Sequence, residues 1–182
     1  MIRFIKGSFA LAKNIASTGA IAQTSTFVEN EITRKIAQLN PTLVVELGAG
    51  YGNITRKILE KLDKNALLIS VELNEKFCDE MEKNIQDKRL KIVCNTASNF
   101  NQFIPENIQP DLIISSLPLS IFPKNISNEI LYKVHNNLTK NGVFSQVYYS
   151  LFFLKQVKKY FHKNEIKIVA NIPPAFVIHS SK

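Results

Sequence analysis

The chain has 182 residues, 45% of them hydrophobic, which predicts one globular domain and excludes a disordered chain. No apolar run approaches the roughly 20 residues of a membrane-spanning helix, and charged residues interrupt the apolar stretch near the N-terminus too often for a signal peptide. The net charge of +8 indicates a polyanionic neighbour, either nucleic acid or an anionic membrane surface, although a merely lysine-rich surface would give the same value.

The first forty residues are predicted to be helical. Apolar residues recur at helical spacing between residues 2 and 16. A second helix should begin near Thr24 or Ser25, whose hydroxyl groups suit an N-cap, and should end at Pro41. We therefore expect residues 1–40 to form N-terminal helices ahead of a second segment, 41–182, within one compact unit.

Strands and helices alternate through that second segment. The predicted strands are 42–47, 66–72, 90–94, 111–116, 142–149, 165–171 and 175–180, and the predicted helices are 52–62, 74–86, 125–138 and 150–162. The early strands are continuously apolar, as central strands covered on both faces should be. Only four residues, 171–174, join the last two strands, so these should pair antiparallel. The pattern predicts an α/β fold with a mostly parallel, doubly wound sheet that ends in an antiparallel hairpin.

A glycine-rich turn follows the first predicted strand. Gly48, Gly50 and Gly52 occupy alternate positions between the apolar run and an amphipathic helix. Glycine tolerates positive φ and carries no Cβ, so the backbone can turn sharply and lie against a ligand. Strand, turn and helix together predict a nucleotide-binding βα unit.

Two acidic residues narrow the choice of nucleotide. Glu72 ends the second strand, where a carboxylate can accept from both ribose hydroxyl groups, but this acid is equally expected for NAD. Glu46 precedes the first glycine, at a position that a dinucleotide's pyrophosphate would approach. The carboxylate of Glu46 would repel that pyrophosphate. S-adenosylmethionine has no phosphate and carries an ammonium group and a sulfonium, so Glu46 favours this cofactor.

The segment 46–52, Glu-Leu-Gly-Ala-Gly-Tyr-Gly, resembles the first motif of the class I S-adenosylmethionine-dependent methyltransferases. Glu72 matches their ribose-binding acid, and Asn95 stands where the third strand of this family usually ends in an Asp that meets the adenine amine. The resemblance implies an enzyme with a Rossmann-like fold, a seven-stranded sheet and S-adenosylmethionine as its cofactor. The residues expected to bind the cofactor are Glu46, Gly48, Ala49, Gly50, Gly52, Glu72, Leu73, Asn95, Thr96, Ala97 and Ser115.

The acceptor is expected at the end of the fourth strand. Family members that methylate planar amines carry an Asn or Asp followed by Pro and an aromatic residue there. This chain has Ser116 in place of the amide and Leu119 in place of the ring. A flipped base would lose its main hydrogen bond and its stacking surface, so planar amines are disfavoured.

Ser-Leu-Pro-Leu at 116–119 instead resembles the bacterial phospholipid N-methyltransferases, which are similar to ribosomal-RNA adenine dimethyltransferases without their RNA-binding domain. The segments 21–25, 142–149 and 171–175 resemble the same family, which often has an Arg where this chain has Phe176. The resemblance covers nearly the whole chain. It implies a phospholipid substrate, the amine of phosphatidylethanolamine or of a related amino-lipid.

Methyl transfer to such an amine requires mainly positioning. The amine must also lose one proton first, because an alkylammonium titrates near ~10. No His or Asp pair stands out as the base, and a hydroxyl or water relay is one route. A methylated head group is a fixed cation, which an aromatic face stabilises. Ser116 and Tyr149 are the candidate catalytic residues, with Tyr148 as the second choice for the aromatic face.

We expect a monomer in the cytoplasm, peripherally associated with the inner face of the membrane. The N-terminal helix, with Arg3, Lys6 and Lys13, should contact anionic head groups, and its removal should abolish liposome binding. The basic helix 150–162 is a second candidate. An RNA (adenine) N-methyltransferase and a non-catalytic cofactor-binding adaptor remain as alternatives.

The remaining chemistry-bearing residues predict no further site. The histidines lie far apart without ligand spacing, so surface or structural roles are expected and no metal site is predicted. The two cysteines are expected to be reduced, half-buried thiols. These residues are His135, His162, His179, Cys78 and Cys94.

Overall fold

The computed structural model describes residues 25–182. The predicted helix at 2–16, the start of the segment 21–25 and the expected membrane contact by the N-terminal helix lie outside the described residues. Within residues 25–182, no helix is both long enough and apolar enough to cross a membrane.

Seven strands form one sheet in the described part of the chain. They are β1 (Leu43–Leu47), β2 (Leu67–Glu72), β3 (Leu90–Cys94), β4 (Leu112–Ser115), β5 (Val143–Tyr148), β6 (Lys163–Val169) and β7 (Ala175–Ser181). Their order across the sheet is β3-β2-β1-β4-β5-β7-β6. The first five strands run parallel, and β7 is antiparallel to both β5 and β6. The predicted α/β fold with its C-terminal hairpin is confirmed.

The helices cover both faces of this sheet. They are α1 (Thr26–Ile32), α2 (Lys35–Leu39), α3 (Asn53–Lys61), α4 (Glu75–Asn84), α5 (Lys124–Asn137) and α6 (Leu154–Val157), with 3₁₀-helices at Ala97–Phe103 and Leu151–Phe153. Apolar side chains of α1, α2 and α3 form one core with one face of the sheet. Those of α5, α6 and both 3₁₀-helices pack on the other face. Strands covered on both sides explain the continuous apolar runs in the sequence.

The helix predicted to run from Thr24 or Ser25 to Pro41 is interrupted. Ser25 is the N-cap, as predicted, and its Oγ accepts from Val28 N. Thr33 ends α1, and its hydroxyl donates to the carbonyl of Glu29 at 2.7 Å. This competing side-chain bond, together with the β-branched Thr, favours a break at that position.

The prediction of one helix over 150–162 is wrong. Ser150 caps a 3₁₀-turn by accepting from Phe152 N, and α6 ends at Val157. Beyond it the amide of Lys159 bonds the carbonyl of Gln156 three residues back, which tightens the chain out of the α-helix. Strand β6 begins and ends two residues earlier than predicted. Beyond its end, Ala170 and Asn171 accept hydrogen bonds from Ser25.

Candidate functional site

The glycine turn lies at the carboxyl end of β1 and opens α3. Gly48, Gly50 and Gly52 have φ of 80°, 56° and 81°, all in the left-handed region. A Cβ on Gly48 would lie 2.7 Å from Leu117 Cδ2, and one on Gly52 would lie 2.6 Å from Ile85 Cδ1. A Cβ on Gly50 would meet no atom within 4 Å. The first and third glycines therefore permit close packing, whereas the second faces open space where a ligand can lie.

Glu72 connects the end of β2 to this turn. Its Oε2 accepts from the backbone N–H of Gly50 at 2.8 Å. Its Oε1 accepts from the N–H groups of Leu73 and Asn74, each at 2.8 Å. The carboxylate is thus held in one orientation at the mouth of the turn, which is the position predicted for the ribose.

Glu46 lies beneath the turn and is fully buried. Its Oε2 accepts from Thr55 Oγ1 of α3 and from Ser70 Oγ of β2, both at 2.6 Å. Burial raises the pKa of Glu46 to about 7, opposed by the two hydroxyl donors and assisted by the nearby charge of Glu72. Among the described residues Oε1 has no hydrogen-bond partner. A buried carboxylate oxygen without a donor suits a ligand that brings a cation.

The segment after β3 forms the third side of the site. The backbone N–H of Asn95 donates to the carbonyl of Glu72 at 2.9 Å, which joins the ends of β3 and β2. Asn95 Oδ1 accepts from Thr96 N at 2.8 Å and from Asn99 Nδ2 at 3.1 Å. Since that oxygen already has two donors, the amide Nδ2 is the side-chain group of Asn95 left to bond a ligand, and such a donor suits a ring nitrogen. Thr96 and Ala97 continue from it, both half-buried, as is Leu73.

These residues fit S-adenosylmethionine. The open space at Gly50 admits the ligand, Glu72 offers carboxylate oxygens where ribose hydroxyls are expected, and the free oxygen of Glu46 suits an ammonium group. Ala49 lies in the turn between them, and its carbonyl accepts from Gly52 N at 2.9 Å. The structure thus brings the predicted cofactor residues of β1, β2 and β3 to one edge of the sheet.

The predicted acceptor segment begins at the end of β4, against the same turn. Ser116 Oγ donates to the carbonyl of Gly48 at 2.6 Å. The side chain of Ser115 is fully buried, and its Oγ accepts from Leu117 N at 3.3 Å, so only its backbone is left to meet a cofactor. Leu119 is also fully buried. A residue at that position cannot stack on a base here, because its side chain belongs to the core.

Tyr148, the last residue of β5, and Tyr149, which follows it, differ in burial, as alternation predicts. Tyr148 is 2% exposed, packs on Phe153 with ring centroids 5.3 Å apart, and belongs to the core. Tyr149 is 42% exposed at the carboxyl end of the strand. Partial burial raises its pKa, so the phenol stays protonated at neutral pH. Of these two tyrosines, Tyr149 is the one whose aromatic face is available to an acceptor.

Three polar residues that support the site were missed in the sequence. Thr55 and Ser70 hold the Glu46 carboxylate. Gln146 of β5 is 1% exposed, and its Nε2 donates to the carbonyl of Leu117 at 2.9 Å, which fixes the acceptor segment. Each interrupts an otherwise apolar strand or helix face, and that interruption was the available signal.

The other residues singled out in the sequence lie elsewhere. His179 is buried on β7, with Nδ1 2.7 Å from Ser145 Oγ and Nε2 3.2 Å from Glu31 Oε1, which gives it the structural role expected. Cys78 is a buried and Cys94 an exposed free thiol, so neither is half-buried as predicted. Among residues 25–182, no group of three potential ligands could hold a metal ion.

Residues 44–142 match a family described as a methyltransferase domain. The chain is 25% identical over 169 residues to an ornithine lipid N-methyltransferase of Singulisphaera acidiphila, covering 90% of this chain and 88% of that protein. It is 30% identical over 166 residues to ribosomal RNA small subunit methyltransferase A of Pelagibacter ubique, covering 85% of this chain but 52% of that one. It therefore spans about half of the RNA enzyme and most of the lipid enzyme.

The fold has many solved counterparts. A precorrin-6y C5,15-methyltransferase from Geobacter metallireducens superposes with a TM-score of 0.68 at 15% identity, covering 88% of this chain and 91% of that one. At this identity the likeness concerns the fold alone. It supports the Rossmann-like fold described above.

Proposed function

The chain belongs to the methyltransferase domain family as a class I S-adenosylmethionine-dependent methyltransferase, and we propose that it methylates the amine of an amino-lipid, such as phosphatidylethanolamine or an ornithine lipid. The acceptor segment carries this proposal. Ser116 turns its hydroxyl to the glycine turn, and Leu119 is buried where a base-stacking ring would have to stand. The lipid enzyme of Singulisphaera acidiphila, matched over most of both chains, supports the same substrate class.

The chain contributes to methyl transfer mainly by positioning the amine. S-adenosylmethionine supplies a methyl group on a sulfonium, which a neutral amine can attack in line. Because Ser116 Oγ donates its proton to Gly48, its lone pairs remain free to accept from an amine N–H beside the turn. Holding the amine by that bond directs the nitrogen lone pair, and the extra proton of the methylated ammonium leaves to solvent water.

Tyr149 is the proposed aromatic face of the acceptor site. Its ring is partly exposed just after the end of β5. That strand lies next to β4, which leads directly into Ser116. Each added methyl removes a hydrogen-bond donor from the head group and leaves a bulkier cation. A cation of this kind is stabilised over an aromatic face by roughly 0.5–2 kcal/mol.

We also propose that the protein acts as a monomer at the anionic inner surface of the cytoplasmic membrane. The net charge of +8 supports electrostatic attraction to such a surface. Residues 1–40 and 41–182 are proposed to act as one unit, since residues flanking α1 bond to the C-terminal hairpin, Ser25 to Asn171 and Arg34 to Glu165.

A second candidate, methylation of RNA, is favoured by the similarity to the ribosomal RNA enzyme. The test is incubation with labelled S-adenosylmethionine and a mixture of amino-lipid micelles and total RNA. We expect label in the lipid fraction, and Ser116→Ala should reduce it. Label in RNA alone would overturn the proposal, and label in neither fraction would favour a cofactor-binding adaptor.

A matched control for that assay is Ser120→Ala. Ser120 lies in the same loop but is exposed, in contrast to Ser116. The control should methylate as the unmodified protein does. Equal losses in both variants would show that the loop, and not the hydroxyl of Ser116, sets the rate.

A further inference from the structure

Four large apolar side chains are exposed on three loops at one edge of the sheet. Phe152 is 98% exposed, Ile172 93%, Ile121 56% and Leu151 41%. We call these four residues the apolar rim. An isolated exposed apolar residue is ordinary, but several on neighbouring loops mark an interaction surface.

The topology places the three loops together. Ile121 lies between β4 and α5, and Leu151 and Phe152 follow β5, so both loops leave the carboxyl ends of adjacent parallel strands. Ile172 lies in the β6–β7 connection. That connection reaches the same edge because Phe176 of β7 pairs antiparallel with Tyr148, the last residue of β5.

The same edge carries the candidate acceptor site. Ser116 begins the loop that bears Ile121, and Tyr149 begins the loop that bears Phe152. An apolar body seated on the rim would therefore be held next to the atoms that receive and position the amine.

The charge of these loops favours an anionic occupant. Segments 116–124, 149–155 and 170–176 contain Lys124 and Lys155 and no Asp or Glu. Both lysines are exposed, and each follows a rim residue by three positions. Apolar side chains flanked by lysines suit the boundary between acyl chains and anionic head groups.

We propose that the apolar rim inserts into the head-group boundary of an anionic lipid bilayer and holds the acceptor site open towards it. This inference rests on the proposed lipid substrate. A lipid amine could then reach Ser116 while its acyl chains stay in the bilayer. The rim is distinct from the membrane contact predicted for the N-terminal helix, and it lies on loops that the sequence pattern assigned to a helix or to turns.

The chain contains no tryptophan, which permits a direct test in the full-length protein. Phe152→Trp and Ile172→Trp each place a single tryptophan, which can be excited apart from the tyrosines, on the rim. Tyr132→Trp, at a 57% exposed position on α5, is the matched control. With vesicles of phosphatidylcholine and phosphatidylglycerol, we expect a blue shift and quenching by brominated lipid for both rim variants and neither effect for the control.

Absence of both effects in the rim variants would overturn the proposal. So would weak quenching of the Phe152→Trp variant by iodide before vesicles are added, because residues 1–24 would then cover the rim. Equal effects in the control would indicate non-specific adsorption and would also count against it.

A second measurement compares vesicle affinity by sedimentation. The double variant Phe152→Ser, Ile172→Ser should bind at least about tenfold more weakly, since two large apolar side chains lose their burial. The control pair Ile108→Ser, Tyr132→Ser removes two exposed apolar residues away from the rim and should bind as the unmodified protein does. If Phe4→Ser, Phe9→Ser abolishes binding while the rim variant retains it, the rim is not the docking surface.

Methylation of amino-lipid in detergent micelles separates this inference from the proposed function. The rim double variant should lose less of that activity than of its activity on vesicles, because a micelle can bring the head group to the site without docking on a bilayer. If the unmodified protein methylates no lipid in micelles but the rim still inserts, the proposed substrate fails and the docking surface stands.

Discussion

The Glu72 carboxylate accepts a 2.8 Å hydrogen bond from the backbone N–H of Gly50, 22 residues earlier in the chain. The predicted ribose-binding acid and the most open point of the glycine turn are therefore fixed against each other by the fold. Because Glu72 also accepts from Leu73 and Asn74, its orientation is set before any ligand arrives. Such preorganisation lowers the ordering cost of binding.

Glu72→Gln should weaken binding of S-adenosylmethionine by about tenfold or more. An amide is uncharged and has one acceptor oxygen, so a ribose hydroxyl loses a charge-assisted hydrogen bond, and such a bond contributes about 1.5–3 kcal/mol. Isothermal calorimetry measures the change, with Glu75→Gln on the exposed first turn of α4 as the control. Equal affinities in the two variants would contradict the role given to Glu72.

Two alanine substitutions in the turn should separate binding from folding. Gly50→Ala costs about 1 kcal/mol for its left-handed backbone but projects a methyl group into the ligand space, so cofactor binding should fall far more than stability. Gly48→Ala places a Cβ 2.7 Å from Leu117 Cδ2 and should lose about 2 kcal/mol of folding free energy. Urea unfolding and calorimetry on both variants check the contrast. Similar profiles for the two would contradict it.

Most of the sheet could be predicted because strands buried on both faces are continuous apolar runs in the sequence. Prediction from the sequence failed where a local hydrogen bond between a side chain and the backbone decides the conformation. The bond from Thr33 to Glu29 ends α1 early, and the 3₁₀-turn after Ser150 replaces a helix that periodicity alone favoured. Neither feature is visible in hydrophobic spacing, because each depends on where one polar side chain turns.

The spacing of the glycines and acidic residues predicted the site at the carboxyl edge of the sheet, because backbone geometry and charge determine which residues can stand there. The supporting contacts could not be predicted from spacing. Thr55, Ser70 and Gln146 meet partners that only the packed sheet brings near. Likewise, alternation placed Tyr148 and Tyr149 on opposite faces, but only the packing of Phe153 showed which one is buried.

Glu46 should make the stability of the free protein depend on pH. Its pKa is about 7 in the folded state against 4.5 when unfolded, so between these values the folded protein binds more protons. Stability therefore falls as pH rises through this window, by an amount on the order of 3 kcal/mol once the pH exceeds the folded pKa.

The variant Glu46→Gln removes that titration. Relative to the unmodified protein it should gain stability between about pH 5 and pH 8, whatever constant offset the amide introduces. Denaturation with urea at several pH values measures the difference. Parallel curves for the two proteins would show that Glu46 does not titrate in this range.

Tyr149 should matter most for the later methyl transfers. Tyr149→Phe keeps the aromatic face and should retain most activity, whereas Tyr149→Ala should slow transfer to an already methylated amine by roughly 2- to 30-fold. Mass spectrometry of mono-, di- and trimethylated lipid resolves the steps. A uniform loss over all steps in the Ala variant would indicate a packing role instead.

Tyr148→Phe should stabilise the protein by about 1 kcal/mol. The hydroxyl of Tyr148 is buried without a hydrogen-bond partner among the described residues, so its removal ends a desolvation cost while the ring keeps its packing on Phe153. Urea unfolding gives the change, and the methylation rate should not change because the ring belongs to the core. Loss of stability would mean that the hydroxyl has a hydrogen-bond partner, either water or a residue in 1–24. Loss of activity would mean that Tyr148 contributes to the acceptor site.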